Sequence, residues 1–272
     1  LKQDLLETFA DQVVASTYGQ FSEAVGELSA AAQLWSSTMD DADRKVAREA
    51  WLNAMQIWQR AELFQVGPAA SSLKAYGKNI RDYIYSFPLR NYCRIDQETV
   101  EGDFGDPETF QESVQVTALG LDALDLLLFS EQTENNCSPD FSINTNGTWD
   151  SFTSSEIMQA RAAYAASLCA LLVSRAEELS TAWNNDFRPF LVSPGPDNPY
   201  FNNQQEALNA VSDAFFYLEI VVLNTKLAIP LGLKNCSAAL CPEEEEVPFS
   251  GQSLHMVREN MAGLRMALMG VE

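Results

Sequence analysis

Residues 47–68, AREAWLNAMQIWQRAELFQVGP, decide the fold class. Trp51, Met55 and Trp58 recur at spacings of four and three, which puts all three on one face of a helix and makes that face core. Gly67 and Pro68 then stop the helix, because proline lacks an amide donor and its ring clashes with the preceding turn. The same period runs through residues 4–36, 40–64, 110–130, 154–186, 204–228 and 253–269, where Ala, Leu, Glu and Gln are plentiful and strand-like alternation is nearly absent. Local signals mark the ends. Asp40 and Asp41 precede the second helix, and Pro107 with Glu108 fits the first turn of the third. Thr153 with Glu156 has capping-box spacing, and Pro230 ends or kinks the fifth helix. The chain reads as all-α.

Three irregular stretches interrupt the pattern. Residues 65–108 carry Gly, Pro and aromatic residues; 131–152 are rich in Asn, Ser and Thr; 187–203 hold four prolines and join two helices over the surface. Loops this long are uncommon inside a compact domain unless they connect or function. The organisation expected is two fused helical bundles: an N-terminal bundle over 1–135 with its long loop at 65–108, a linker at 136–149, and a C-terminal bundle over 150–272.

The balance of 17 basic against 38 acidic residues gives a net charge of -21, a field that repels phosphate backbones and argues against nucleic acid as a partner. Apolar runs such as Leu124–Phe129, with Asp125 inside it, fall short of the roughly 20 residues a membrane span needs, so no transmembrane helix is expected. The chain opens on an amphipathic segment (Leu5, Phe9, Val13, Val14), read as a mature chain from which an export signal has been removed. Five cysteines without a CxxC pair exclude a zinc ribbon. Cys236 and Cys241 bracket a short loop and suit a local disulfide. Cys93 and Cys137, both in polar stretches, are a second candidate pair. Cys169, within SLCALLV, reads as a buried free thiol. That usage fits an oxidising compartment.

A zincin needs two histidines one helical turn apart, and the chain has one, His255, placed near the start of the last helix as a surface residue. With no nucleophile elbow either, no catalytic residue is assigned. The segment 115–130, QVTALGLDALDLLLFS, is apolar nearly all round yet carries Asp122 and Asp125 three apart on one face. Two readings are open. Gln111, Gln115, Ala118, Asp122 and Asp125 form a narrow solvent-facing stripe, or the two carboxylates are buried and need a cation or donors between them. Glu62, between Ala61 and Leu63, is either a solvent-facing acid paired with a basic residue or a ligand contact. In 246–260, EVPFSGQSLHMVREN, the amides around Ser250, Gly251 and Ser253 could hold an anion or a carboxylate at a helix start, with capping by Ser250 or Ser253 as the simpler role. The run Glu243–Glu246 reads as a solvated loop rather than a metal site, since nothing preorganises it.

Six segments in register resemble the imelysin family of exported bacterial proteins. They are LLETFADQVVASTYGQFSEAVGELSAAAQLW, AWLNAMQIWQRAELFQVGP, IRDYIYSFPLRNYCRID, GLDALDLLLF, KLAIPLGL and PFSGQSLHMVRENMAGLR. The resemblance implies an all-α fold of two bundle-like halves with a site in the cleft between them. It also implies export to the periplasm, outer membrane or cell surface, and a link to iron uptake or to a metallopeptidase activity. Where the family pattern reads GxHxxE, this chain keeps Gly120 but has Asp122 and Asp125. Paired carboxylates are a hard ligand set, suited to iron(III), calcium, magnesium or manganese rather than zinc. The expected function is binding of a cation, iron or another divalent metal, or of a small polar ligand, as an accessory to metal uptake. Asp122 and Asp125 are the candidate metal ligands, and Glu62, Ser250, Gly251 and Ser253 the ligand contacts. An imelysin-type metal-dependent peptidase and a non-catalytic interaction protein with a decayed site are the alternatives. Membrane association through a lipid anchor or an envelope partner is a further expectation.

Overall fold

The helical period becomes helix in the structure, a computed structural model that describes residues 1–102, 104 and 107–270. Among the described residues every regular element is helical, and one isolated β-bridge joins Tyr85 to Gly120. The first helix passes from Lys2–Glu7 through π-helical turns at Thr8–Ala15 into Ser16–Thr38 (α1), and Met39 closes it in the left-handed region. Asp41–Ala61 (α2) follows, its first amides met by Asp40, which accepts from the Ala42 amide at 2.7 Å. The later helices include Gly120–Phe129 (α3), Ser154–Thr181 (α4), the π-helical Leu218–Ala228 (α5) and Ser253–Met269 (α6). Thr153 and Glu156 form the capping box at the start of α4.

Several expected boundaries move. The helix expected over 110–130 breaks into Pro107–Ser113, a 3-10 turn at Val116–Ala118, and α3. The cause lies at Gly120, whose φ of +87 suits glycine and whose missing Cβ would lie 2.7 Å from the Ile84 carbonyl. Helix continues beyond α4 to Val192 rather than stopping at 186, because Pro189 occupies the first turn of the Arg188–Val192 segment, where it costs no hydrogen bond. Short helices at Ile80–Ile84 and Tyr92–Glu101 occupy the 65–108 stretch, and Ser142–Thr145 lies in the 131–152 stretch.

α1 packs against α2 and α4, α6 covers another side of α2, and α3 lies against α2 and α4. One hydrophobic cluster runs through all of them, from Leu6 to Met256, with Trp35, Trp51, Trp58 and Trp183 among its largest members. The stretch Ser154–Val192 is long and apolar enough to cross a membrane by length and composition. Leu168, Cys169 and Leu172 are nevertheless buried within the protein, so its apolar character is that of a core helix. Gly263 lets α6 reach the C-terminal end of α2, since a Cβ there would lie 2.4 Å from the Arg60 carbonyl.

Both expected disulfides are present, Cys93–Cys137 and Cys236–Cys241, and Cys169 is a buried free thiol. They close loops of very different length, 44 and 5 residues apart in sequence. Loop-closure entropy then predicts a loss of about 4 kcal/mol for Cys93→Ser/Cys137→Ser against about 2 kcal/mol for Cys236→Ser/Cys241→Ser, read by urea denaturation.

Candidate functional site

α2 ends on two polar side chains one turn apart, Gln59 and Glu62, both fully buried. Four other segments bring polar groups to them: Arg81 from Ile80–Ile84, Lys226 from α5, Asn260 from α6, and Glu246 from the loop before α6. The Lys226 ammonium donates to Glu62 at 2.6 Å, to Gln59 at 2.6 Å and to Asn260 at 3.1 Å, and lies 2.7 Å from Glu246. Arg81 donates to the other Glu62 oxygen at 2.9 Å, and the Tyr217 hydroxyl donates to the same atom. Gln59 and the Tyr85 hydroxyl both donate to Glu246 Oε1, leaving its Oε2 without a partner. Burial alone would raise the Glu62 pKa, but Lys226 and Arg81 outweigh it and hold the carboxyl below its usual range. At Glu246 burial prevails and the shift is upward.

The Asp pair lies beside this cluster. Asp122 Oδ2 accepts from the Ser86 hydroxyl at 2.7 Å and its Oδ1 from the Ser86 amide at 3.2 Å. Asp125 accepts from the Phe249 and Ser250 amides, each at 3.0 Å, one on each oxygen. Both side chains are 0% exposed, which overturns the reading of a solvent-facing stripe. Gln115 is exposed, but Ala118 is buried with the two acids; the Gln111 side chain lies outside the described residues. The stripe fails because α3 is enclosed by α2, α4 and the loop that carries Phe249 and Ser250. Burial raises the pKa of both acids, that of Asp125 to about 6, and Arg90 is the cation that opposes the shift at each.

Arg90 and Tyr92 connect the pair to an opening. The Arg90 guanidinium sits 4.9 Å from the ring centroids of both Phe87 and Tyr92 and donates to the Glu245 carbonyl. The Tyr92 ring packs edge-on to Phe249 at 5.1 Å. Arg90 Nε and the Tyr92 hydroxyl have no hydrogen-bond partner, and both residues line a cavity of about 140 Å³ with Phe87, Pro88, Thr225 and Glu243. Unpaired buried donors beside a polar cavity are groups that a ligand or water can satisfy.

The candidate residues therefore divide. Asp122 and Asp125 stand together. Glu62 is neither solvent-facing nor a free ligand, because its ion pairs with Lys226 and Arg81 occupy it. The amides near Ser250 do hold a carboxylate, and it is the protein's own Asp125. Neither Ser250 nor Ser253 caps α6: Gln252 is the N-cap residue and makes no side-chain cap, while the Ser253 hydroxyl accepts from the Val247 amide at 3.2 Å. Gly251 forms the exposed turn between them, at φ +67. The Glu243–Glu246 run is only partly a solvated loop, since Glu246 is fully buried on Lys226. Sequence reading missed Arg81, Arg90, Tyr92, Lys226 and Glu246. Lys226 alone had a signal, as one charge among the apolar residues of 220–231. Among the described residues, no group of three or more His, Cys, Asp or Glu side chains is arranged to hold a metal ion. A metal at the Asp pair would thus meet two carboxylates and no imidazole, a donor set that fits a hard cation and not a histidine-dependent zinc site.

The profile of the imelysin family, peptidase M75, matches residues 14–271. The chain belongs to the imelysin family. Two solved structures share the fold. One is a protein assigned as an iron-regulated protein A precursor from Parabacteroides distasonis ATCC 8503, with TM-score 0.73 and 16% identity, matched over 99% of this chain and 73% of that one. The other is an imelysin-like protein from Psychrobacter arcticum 273-4, with TM-score 0.68 and 18% identity, matched over 98% and 73%. No curated protein matches the chain.

Lys226→Met leaves two buried carboxylates short of a cation and is expected to cost about 3–5 kcal/mol in denaturant unfolding. Asp125 has a pH signature. The folded protein keeps the Asp125 proton up to about pH 6, whereas the unfolded chain releases it near the ordinary carboxylate value. Its contribution to stability therefore falls as pH rises through that window. The stability of the parent relative to Asp125→Asn should drop by up to about 3 kcal/mol between about pH 4 and about pH 7, measured by urea titration at each pH.

Proposed function

We propose that this protein is an exported accessory of metal uptake that binds an oxygen-coordinated cation, iron(III) foremost, at the Asp122–Asp125 pair. The observation that carries the reading is the burial of two like-charged carboxylates one helical turn apart, one held by Ser86 and the other by the Phe249 and Ser250 amides. A cation between them relieves the desolvation that raises both acids. The unpartnered Arg90 Nε and Tyr92 hydroxyl add donors for an anionic oxygen. A cation that arrives with its own oxygen anion or chelator suits both halves of the site. Arg90, Tyr92 and the Asp pair come from the first half of the chain, and Thr225, Glu243, Phe249 and Ser250 from the second, which supports a site in the cleft between the halves.

Three further facts support the reading. One structural relative bears a name tied to iron regulation, the resemblance places the family's GxHxxE pattern on α3, and the two disulfides suit an envelope compartment. The donor set favours binding over peptide hydrolysis, since a water-activating zinc site is built largely on imidazole. Calorimetric titration with iron(III) citrate, calcium, manganese and zinc tests this. The parent should bind at least one hard cation at least about tenfold more tightly than Asp122→Asn/Asp125→Asn. Equal binding of every metal by both proteins sinks the assignment.

A further inference from the structure

The cavity beside Arg90 is lined by charges of both signs, brought there by distant parts of the chain. Arg90 gives one donor to the Glu245 carbonyl, and its Nε has no partner; nor has the hydroxyl of Tyr92, whose ring lies against the guanidinium. Glu243 and Glu244 also line the cavity, and their exposed carboxylates enter no ion pair or hydrogen bond. Pro88 and Ile229 add apolar surface.

The fold holds both sets of charges in place. The Arg90 guanidinium is packed between the Phe87 and Tyr92 rings, 4.9 Å from each centroid. The two acids lie on the 3-10 turn Pro242–Glu244, where the Glu244 amide donates to the Cys241 carbonyl at 3.0 Å. Cys241 is bonded to Cys236, and its amide donates at 2.9 Å to the carbonyl of Pro230, the residue after Ile229. A site that is ordered before its ligand arrives loses less entropy on binding.

The charges select the ligand class. A simple anion would be drawn by Arg90 and repelled by two unpaired carboxylates, and a simple cation would meet the reverse. A molecule with a carboxylate at one end and an ammonium at the other complements both. Size narrows the class further. The volume of about 140 Å³ is room for roughly five waters at about 30 Å³ each, or a molecule of about six or seven non-hydrogen atoms. We infer that this cavity binds a small free α-amino acid, of the size of alanine or serine. Its carboxylate pairs with Arg90 and accepts from the Tyr92 hydroxyl, its ammonium faces Glu243 and Glu244, and its side chain lies on Pro88 and Ile229. The site shares Arg90 and Tyr92 with the cation reading but needs neither a metal nor the Asp pair.

The test is calorimetric titration of the metal-stripped full chain with L-alanine and L-serine, and with compounds that lack one end. L-alanine or L-serine should bind. L-alaninamide, without the carboxylate, should bind at least about tenfold more weakly, since it forfeits hydrogen bonds between charged groups. N-acetyl-L-alanine and acetate, without the ammonium, should bind at least about threefold more weakly, the smaller loss expected of exposed pairs. L-tryptophan should not bind, being too large. Glu243→Gln/Glu244→Gln alters two exposed side chains, so it should keep the parent's thermal unfolding and bind L-alanine and N-acetyl-L-alanine equally. Arg90→Gln should lose at least about tenfold for L-alanine; if it does not fold, L-alaninamide tests the same contact on the parent. The inference is overturned if neither amino acid binds, or if the amide, the acetylated compound, acetate or L-tryptophan binds as tightly as L-alanine. It is equally overturned if the double glutamine variant keeps the parent's preference. Binding that appears only after metal is restored also overturns it, since the ligand would then belong to the cation.

Discussion

The contact between Lys226 and the two buried acids Glu62 and Glu246 is the constraint on which the rest of the structure depends. An ammonium and two carboxylates withdrawn from water are each costly alone, and their attraction compensates only while every partner keeps its place. Because the three arrive from α5, from the end of α2 and from the loop before α6, the cluster fixes the position of three segments that share no local sequence signal. Gln59 and Asn260 extend it, and the close approach of Gly263 to Arg60 lets α6 reach it. The cluster is a specificity device as much as a source of stability: a shifted register in any of these segments would strand a buried charge.

The Asp pair inherits its geometry from that cluster. Glu246, held by Lys226, Gln59 and Tyr85, sets the path of the chain three residues before Phe249 and Ser250 present their amides to Asp125. Tyr85, which donates to Glu246, is followed by Ser86, which binds Asp122 twice. The two acids of α3 are thus secured from opposite sides by segments that both answer to Glu246. A surface loop would hold such a pair loosely; here the supporting groups are themselves buried and hydrogen-bonded.

Much of the fold is legible in the sequence for a physical reason: a helix half-covered by core writes its period into the chain. Trp51, Met55 and Trp58 do so, and Asp40, Thr153 and Glu156 mark their ends with caps that act over three or four residues. The Cys236–Cys241 disulfide and the buried Cys169 follow from local context as well, whereas Cys93 and Cys137 pair across 44 residues. Legibility fails where a helix is covered on every side. α3 has no polar stripe to reveal its orientation, so Asp122 and Asp125 read equally well as exposed or enclosed. The break before Gly120 is invisible for a related reason, since it is imposed by Ile84, a distant residue in sequence. Glu246 misleads because its three acidic neighbours mark the run as solvated. Lys226, Arg81 and Arg90 become functional only through partners more than ten residues away or through rings packed against them, which no local pattern carries.

The Cys93–Cys137 disulfide has a mechanical consequence. Cys93 directly follows Tyr92, which lines the cavity beside the Asp pair, while Cys137 lies in the stretch between α3 and α4. The bridge ties that stretch covalently to the cavity wall, so a displacement of one is carried to the other.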